Sequence, residues 1–426
     1  MYRPVHVIEV RLWNQRVGAV MRDERNGCYA FEYEPKWRRR GIELSPLQMP
    51  TSRQLFAFPS LPEGTFRRLP AMLADALPDD FGNALIDAYL ARQGIEKERI
   101  TPLDRLAYVG SRGMGALEFR PALRTLARKP TALQLSQLVL ASRKALSGVL
   151  AGDRETEAAL KNLVQVGTSA GGARAKAVIA WNPSTHELRS GQLPADAGFE
   201  HWLIKFDGVG HDQELGTSEH YGRIEYAYYL MAIAAGIPMM PSRLLEEHGR
   251  AHFMTKRFDR DLNRKHHVQT FCAMAHLDFK QRATHDYSQL FQVIDQLGLA
   301  PGVREDAFRR MTFNVLAANC DDHSKNFAFL LTEGGSWALA PAYDVTHAFN
   351  PAGAWTYQHL LAVDGKFTDI SRSNLFAVGD RFAVPGYAGL FRQVANTLER
   401  WPEFAVQAGV PRNVAAKIQS DFSLAP

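Results

Sequence analysis

Cysteine is scarce in this chain of 426 residues: Cys28, Cys272 and Cys320 are the only three. They are odd in number and far apart, which argues against a disulfide framework and fits a reducing, cytoplasmic setting. Long apolar runs are lacking too. No stretch approaches the roughly 20 residues that a membrane-spanning helix needs, so no membrane association is expected. The opening residues, Met1-Tyr2-Arg3-Pro4-Val5-His6-Val7-Ile8-Glu9-Val10-Arg11, carry charge where a secretory leader needs an unbroken apolar core. Charge of one sign does not dominate: 50 Lys and Arg against 45 Asp and Glu leave a formal +5, a mild bias toward polyanions that does not establish nucleic-acid binding. There is no internal repeat. The glycine-rich run Gly110-Ser111-Arg112-Gly113-Met114-Gly115 lacks the Gly-x-Gly-x-x-Gly order and reads as a tight turn.

What is present is ordinary globular material, 46% hydrophobic and 22% charged, too long for one simple core. Residues 5–13 alternate as a strand, Asn14-Gln15 turns, residues 17–21 return, and residues 29–33 form a third, aromatic strand, which predicts a small antiparallel sheet or barrel. Lys36-Trp37-Arg38-Arg39-Arg40 is the densest basic cluster and reads as a solvated loop, with a contact to phosphate backbone or an acidic partner as the other reading. Residues 69–93 carry helical spacing through Leu73, Leu77, Phe81, Leu85, Ala88 and Leu90, ended by Gly94. The break at Lys129-Pro130-Thr131 sets a boundary. The expected division is 1–128 (β-rich), 129–260 (a mixed nucleotide lobe) and 261–426 (mainly helical).

After two helices expected at residues 132–145 and 155–164, the chain reads Val166-Gly167-Thr168-Ser169-Ala170-Gly171-Gly172-Ala173-Arg174-Ala175-Lys176. Three glycines in six residues let backbone N–H groups approach an anion. A strand, not a helix, follows, and the Gly-Lys-Ser/Thr ending of a Walker loop is missing. A glycine-rich turn feeding a strand is closer to the lid over ATP in protein kinases, with a plain surface loop as the alternative. Lys205 lies in the buried-looking strand His201-Trp202-Leu203-Ile204-Lys205-Phe206, where an ammonium needs an anionic partner such as nucleotide phosphate, with an edge-strand lysine pointing to water as the alternative. Thr217 or Ser218 caps a helix through Ile224, Tyr228, Met231 and Ala235, and its Glu225 is a candidate to steady Lys205. The strand around Phe253 to Arg260 falls where a two-lobed nucleotide enzyme has its hinge.

Further on, a helix with Phe308, Met311, Val315 and Ala318 on one face delivers Asn319-Cys320-Asp321-Asp322-His323-Ser324-Lys325-Asn326. Asp321 and Asn326 are spaced as the base and a magnesium ligand are in a phosphotransferase loop. A hairpin (residues 327–331 and 337–339) returns Ala340-Pro341-Ala342-Tyr343-Asp344, which brings a second acid beside Asn326. Asp321 would orient and deprotonate a hydroxyl, while Asn326 and Asp344 supply hard oxygen ligands to Mg2+ held mainly by phosphates. Asp/Asn-rich turns that bond their own backbone are the competing reading.

In this order the segments resemble the HipA family of bacterial toxin kinases, over nearly the whole chain. The most specific stretches are residues 169–176, 203–206, 257–260, 319–327 and 341–345. The resemblance implies an α+β, two-lobed, protein-kinase-like fold and an ATP- and Mg2+-dependent serine/threonine kinase. It implies that Asp321 is the catalytic base and that Asn326 and Asp344 bind the metal. Gly171, Gly172, Ala173, Arg174, Ala175 and Lys176 would cover the phosphates, with Lys205 paired to them. Lys256, Arg257 and Phe258 would form the adenine hinge, with His323, Lys325 and Tyr343 near the nucleotide. Ser169 matches the autophosphorylated serine, and a phosphate there would expel the loop and shut the enzyme down. The implied partners are a small helix-turn-helix, HipB-like antitoxin, operator DNA through that complex, and a protein substrate of the aminoacyl-tRNA synthetase class, with growth arrest or persistence as the outcome.

The chain departs from the family where Ala175 replaces a frequent proline and where His267-Val268-Gln269-Thr270-Phe271-Cys272 replaces an acidic pattern, which leaves subfamily and target open. Two other functions compete. One is a metal-dependent phosphodiesterase or nuclease using Asp321, Asp322, His323 and Asp344, which leaves the glycine loop and Lys205 without work. The other is a catalytically silent, DNA-bound co-repressor.

Overall fold

The computed structural model describes residues 2–78, 80–91, 94–122, 138, 175–207, 220–247 and 249–423. The expected helices at 132–145 and 155–164, the loop residues Ser169, Gly171, Gly172, Ala173 and Arg174, and the cap candidates Thr217 and Ser218 fall outside these. The chain forms two compact units: Met1–Gly210 with Met254–Gln269 and Leu330–Ser336, and His211–Phe253 with Thr270–Phe329 and Trp337–Pro426.

In the first unit, strands β1 (Val7–Leu12), β2 (Gln15–Asp23), β3 (Cys28–Tyr33), β4 (Leu55–Ala57) and β5 (Glu118–Arg120) form an antiparallel sheet in the order β4-β3-β2-β1-β5. The alternation read in β1 is real: Ile8, Val10 and Leu12 are fully buried. The turn sits one residue earlier than expected. Trp13 and Asn14 both take positive φ (46° and 61°), the backbone of a two-residue hairpin turn, so Gln15 already pairs with Leu12. The expected 69–93 helix is also corrected. It is two pieces, Ala71–Ala74 and Asp80–Ala91, because Pro78 lacks the amide a continuous helix would need there. The basic cluster is solvated but is not a plain loop: a short helix, Pro35–Arg38, carries Trp37 into the core, with Arg40 over its ring and Lys36, Arg39 and Arg40 exposed.

The same unit holds β6 (Lys176–Trp181), β7 (Leu188–Ser190) and β8 (Glu200–Lys205), with β6 between the other two. All six residues of β6 are buried. The strand Arg250–Lys256 leads into residues 257–260, and there the Gly110–Gly115 turn acquires a purpose. Asp259, fully buried, accepts from the Gly115 amide at 2.7 Å, from Arg257 at 2.6 and 2.8 Å and from Arg260 at 2.6 Å, while Arg260 also donates to the Gly113 and Gly115 carbonyls. The turn is thus a seat for a buried Arg-Asp-Arg cluster. Burial raises the Asp259 carboxyl, but the two guanidiniums outweigh it and hold the group far below the usual carboxylate range.

The second unit is mainly helical: Tyr221–Ala234, Tyr287–Gln296, Gly302–Leu316, Arg372–Arg381, Tyr387–Glu399, Trp401–Ala408 and Arg412–Ser420. Tyr228 is at its centre, with its ring against Phe313, Trp401 and Phe422 and its hydroxyl donating to the Ala317 carbonyl at 2.6 Å. The helix Tyr221–Ala234 is capped by His220 (φ 79°) and stopped by Gly236 (φ 82°). The hairpin appears as the strands Ala328–Leu331 and Trp337–Leu339. The α+β expectation agrees with this architecture.

Candidate active site

The helix Gly302–Leu316 ends at a left-handed Ala318 (φ 52°), which turns the chain into residues 319–326. There the acids diverge in role. Asp321 keeps 41% of its side chain accessible, whereas Asp322 has none. The Asp321 Oδ1 accepts from the Trp355 indole at 2.8 Å, with His323 Nε2 3.8 Å away. No hydrogen bond from the described residues reaches Oδ2, which leaves it for an incoming hydroxyl. Burial within the loop lifts the Asp321 carboxyl above its ordinary range; His323 and the Trp355 bond pull it down, and Asp344 and Asp322 push it up again. A carboxylate raised above its ordinary range is the better proton acceptor.

Asn326 donates its amide to the Asp321 carbonyl at 2.6 Å. That bond turns its own oxygen the other way, toward a small pocket lined also by Asn314, Asn319, Asp322, Tyr343 and Asp344. Asp344 reaches it in a left-handed conformation (φ 53°), which Asp adopts at lower cost than most residues. Tyr343 donates to the Lys325 carbonyl at 2.7 Å and so joins the hairpin return to the loop. Phe279 carries the other side: the His323 ring meets it at 5.1 Å and the Lys325 ammonium lies 4.9 Å from its centroid. The structure therefore brings Asp321, His323, Lys325, Asn326, Tyr343 and Asp344 together. The donor set fits Mg2+: a carboxylate and an amide oxygen, both hard ligands, face one pocket that also holds a buried acceptor without a partner, Asn319 Oδ1.

Asp322 is spoken for. Its Oδ2 accepts from the Tyr287 hydroxyl at 2.9 Å and the His359 Nδ1 at 3.0 Å, and its Oδ1 from the Leu360 amide at 2.8 Å. Burial pulls the His359 imidazole down, but Asp322 and Cys320 overcome it and bring the group up to about 10. A metal centre needing Asp322 as a ligand loses it to this pair. Among the described residues, no group of three His, Cys, Asp or Glu could hold a metal ion.

The first unit carries the other candidates. Lys176 and Lys205 are direct cross-strand partners on β6 and β8, Lys176 buried and Lys205 half-buried, and Ala175 is buried just before them. Like charges placed opposite each other weaken a sheet unless anionic groups lie beside them. Lys256 pairs with Glu200 at 2.7 Å. Arg257 requires a refinement: its guanidinium is committed to Asp259 and its amide donates to the His201 carbonyl at 3.0 Å, so neither can serve an adenine. Glu225 is buried on its helix.

Trp355, His359, Tyr287, Phe279 and Asn319 were not among the sequence candidates. The one available signal was a lone tryptophan closing the small-residue loop Asn350-Pro351-Ala352-Gly353-Ala354-Trp355, where a large aromatic needs a reason to stay.

A family model described as the HipA-like C-terminal domain matches residues 168–423, and one described as the HipA N-terminal domain matches residues 8–120. The chain belongs to the HipA family. Its fold is similar to that of HipA from Shewanella oneidensis MR-1, solved with HipB and its operator DNA, with a TM-score of 0.69 at 17% identity over 97% of this chain and 95% of that one. The Helicobacter pylori proinflammatory kinase CtkA matches 52% of this chain and 88% of its own at 12% identity, with a TM-score of 0.34 that carries no weight. The HipA-like C-terminal match takes in the glycine-rich residues, both lysines, the Asp321 loop and Asp344. No helix among the described residues is long and apolar enough to cross a membrane.

Proposed function

We propose that this HipA-family chain is an ATP- and Mg2+-dependent serine/threonine protein kinase acting as the toxin of a toxin–antitoxin pair. The observation that carries the reading is the convergence of Asn326 and Asp344 on one pocket beside an accessible Asp321 whose second carboxylate oxygen is left open. Bound Mg2+ would shield the phosphate charge and align the transferred group. Asp321 takes the proton from the substrate hydroxyl, and Trp355 holds the carboxylate in place. Asn326 and Asp344 hold the metal. Lys176 and Lys205, with residues 171–175, hold the phosphates, and Glu225 steadies Lys205. The Lys256 carbonyl and Phe258 amide meet the adenine edge, with His323, Lys325 and Tyr343 beside the nucleotide. Ser169 is the self-modified residue and its phosphate switches the enzyme off. The division into 1–128, 129–260 and 261–426 is part of this reading, as is a cytoplasmic setting.

A helix-turn-helix antitoxin, operator DNA bound through it, and an aminoacyl-tRNA synthetase as target complete the proposal; the Shewanella complex supports the first two by likeness of fold. The nuclease alternative is disfavoured because Asp322, one of its four ligands, is enclosed in the His359 pair. The test is incubation with labelled ATP and Mg2+. The chain should label itself, chiefly on Ser169; nucleic-acid cleavage without ATP would contradict the reading.

A further inference from the structure

Asn319 stands apart from the proposed catalytic set, yet it lines the same pocket as Asn326 and Asp344. Its side chain is 2% exposed, and its Oδ1 has no hydrogen-bond partner. A buried acceptor left without a donor costs roughly 1–3 kcal/mol, so the site calls for a ligand that donates.

The orientation of this amide is dictated by its neighbours. Asp322, a carboxylate, can only accept, so the single proton of the Tyr287 hydroxyl goes to it (2.9 Å). The Tyr287 oxygen must then accept from Asn314, whose NH2 group faces it at 3.0 Å. That fixes the Asn314 oxygen toward Asn319, which answers with its NH2 group at 2.9 Å. The Asn319 oxygen is thereby turned away from the network, buried and without a donor, on a residue that lines the pocket. Reversing any amide in this relay would set two donors or two acceptors face to face. The far end is anchored by His359 and the Leu360 amide on Asp322, so the network is rigid.

We propose that Asn319 Oδ1 is an outer ligand of the cation, accepting a hydrogen bond from a water in the shell of a metal held by Asn326 and Asp344. Mg2+ dehydrates reluctantly and keeps several waters when protein supplies only one or two ligands. Such waters are strong donors and weak acceptors, the match for a lone buried oxygen. Second-sphere partners of this kind set the geometry of the inner ligands. The inference rests on the phosphotransfer reading for the presence of the metal.

The test uses Mn2+ as the probe, titrated by electron paramagnetic resonance into the full chain with a non-hydrolysable ATP analogue. Asn319→Ala should weaken Mn2+ binding by about 10-fold or more, while the melting temperature without metal shows whether the fold is kept. A folded variant with wild-type Mn2+ affinity overturns the proposal. Should the variant fail to fold, a crystal of the wild type with Mn2+ and the analogue decides. A metal-bound water within about 3.2 Å of Asn319 Oδ1 supports the assignment, and a plain water with no metal contact, or none, overturns it. Wild type that holds no Mn2+ with nucleotide would remove the phosphotransfer reading as well, whereas intact wild-type binding with an unaffected variant removes only the role of Asn319.

Discussion

Asp321 and Asp322 are neighbours with the same side chain and opposite fates. One offers an open carboxylate oxygen to solvent; the other spends its oxygens on Tyr287, His359 and the Leu360 amide. A single segment, residues 355–361, grips both. Trp355→Phe keeps the ring but removes the donor to Asp321. With a hydrogen bond to a charged group contributing about 1.5–3 kcal/mol, kcat for phosphate transfer should fall about 10- to 100-fold, with KM for ATP unchanged in a steady-state assay. Equal loss in both constants would place Trp355 elsewhere. The His359 pair makes a pH prediction. Its folded value lies above the ordinary 6.5, at about 10, so its contribution to stability is fully present below about pH 6.5 and is lost as pH rises through about 10. The urea midpoint of wild type should fall between pH 7 and 10, and His359→Gln should flatten that slope; parallel profiles would contradict it. That Asn326 and Asp344 meet at one pocket was legible in the sequence because a single hairpin separates them. Trp355, His359 and Tyr287 were not, since each arrives from a distant position that no spacing rule constrains.

Elements were read best where periodicity acts alone. Strands β1, β2 and β3 and the helix Gly302–Leu316 follow their apolar patterns. Misreadings came where backbone chemistry overrode pattern: Trp13 takes a positive φ that its side chain disfavours, and Pro78 interrupts a helical face that looks continuous. The strand end at residues 257–260 is a third case. Of the expected hinge residues Lys256, Arg257 and Phe258, Arg257 joins Asp259 and Arg260 in holding the Gly113–Gly115 turn, a role that the linear pattern does not show. Asp259→Asn leaves two buried guanidiniums without their counter-charge and should cost about 3–5 kcal/mol, measured by urea denaturation. A loss below about 1 kcal/mol would mean the cluster is not what fixes that turn.

At the scale of the whole chain, the two units interleave in sequence: residues 254–269 and 330–336 belong with the N-terminal material, although helical segments precede and follow them. No composition shift marks those returns, so linear reading could not find them. The family was legible because its motifs recur in order, and the match across residues 8–120 and 168–423 bears this out. Specific chemistry depends on one centre. The most direct measurement of it is transfer of labelled phosphate from ATP by wild type and by Asp321→Asn, with nucleotide binding followed in parallel by calorimetry. Wild type should label itself, while the variant binds ATP with unchanged affinity and transfers at least about 100-fold more slowly, the upper end of what loss of a general base ordinarily removes being larger still. A variant that binds ATP and transfers phosphate at the wild-type rate would contradict it.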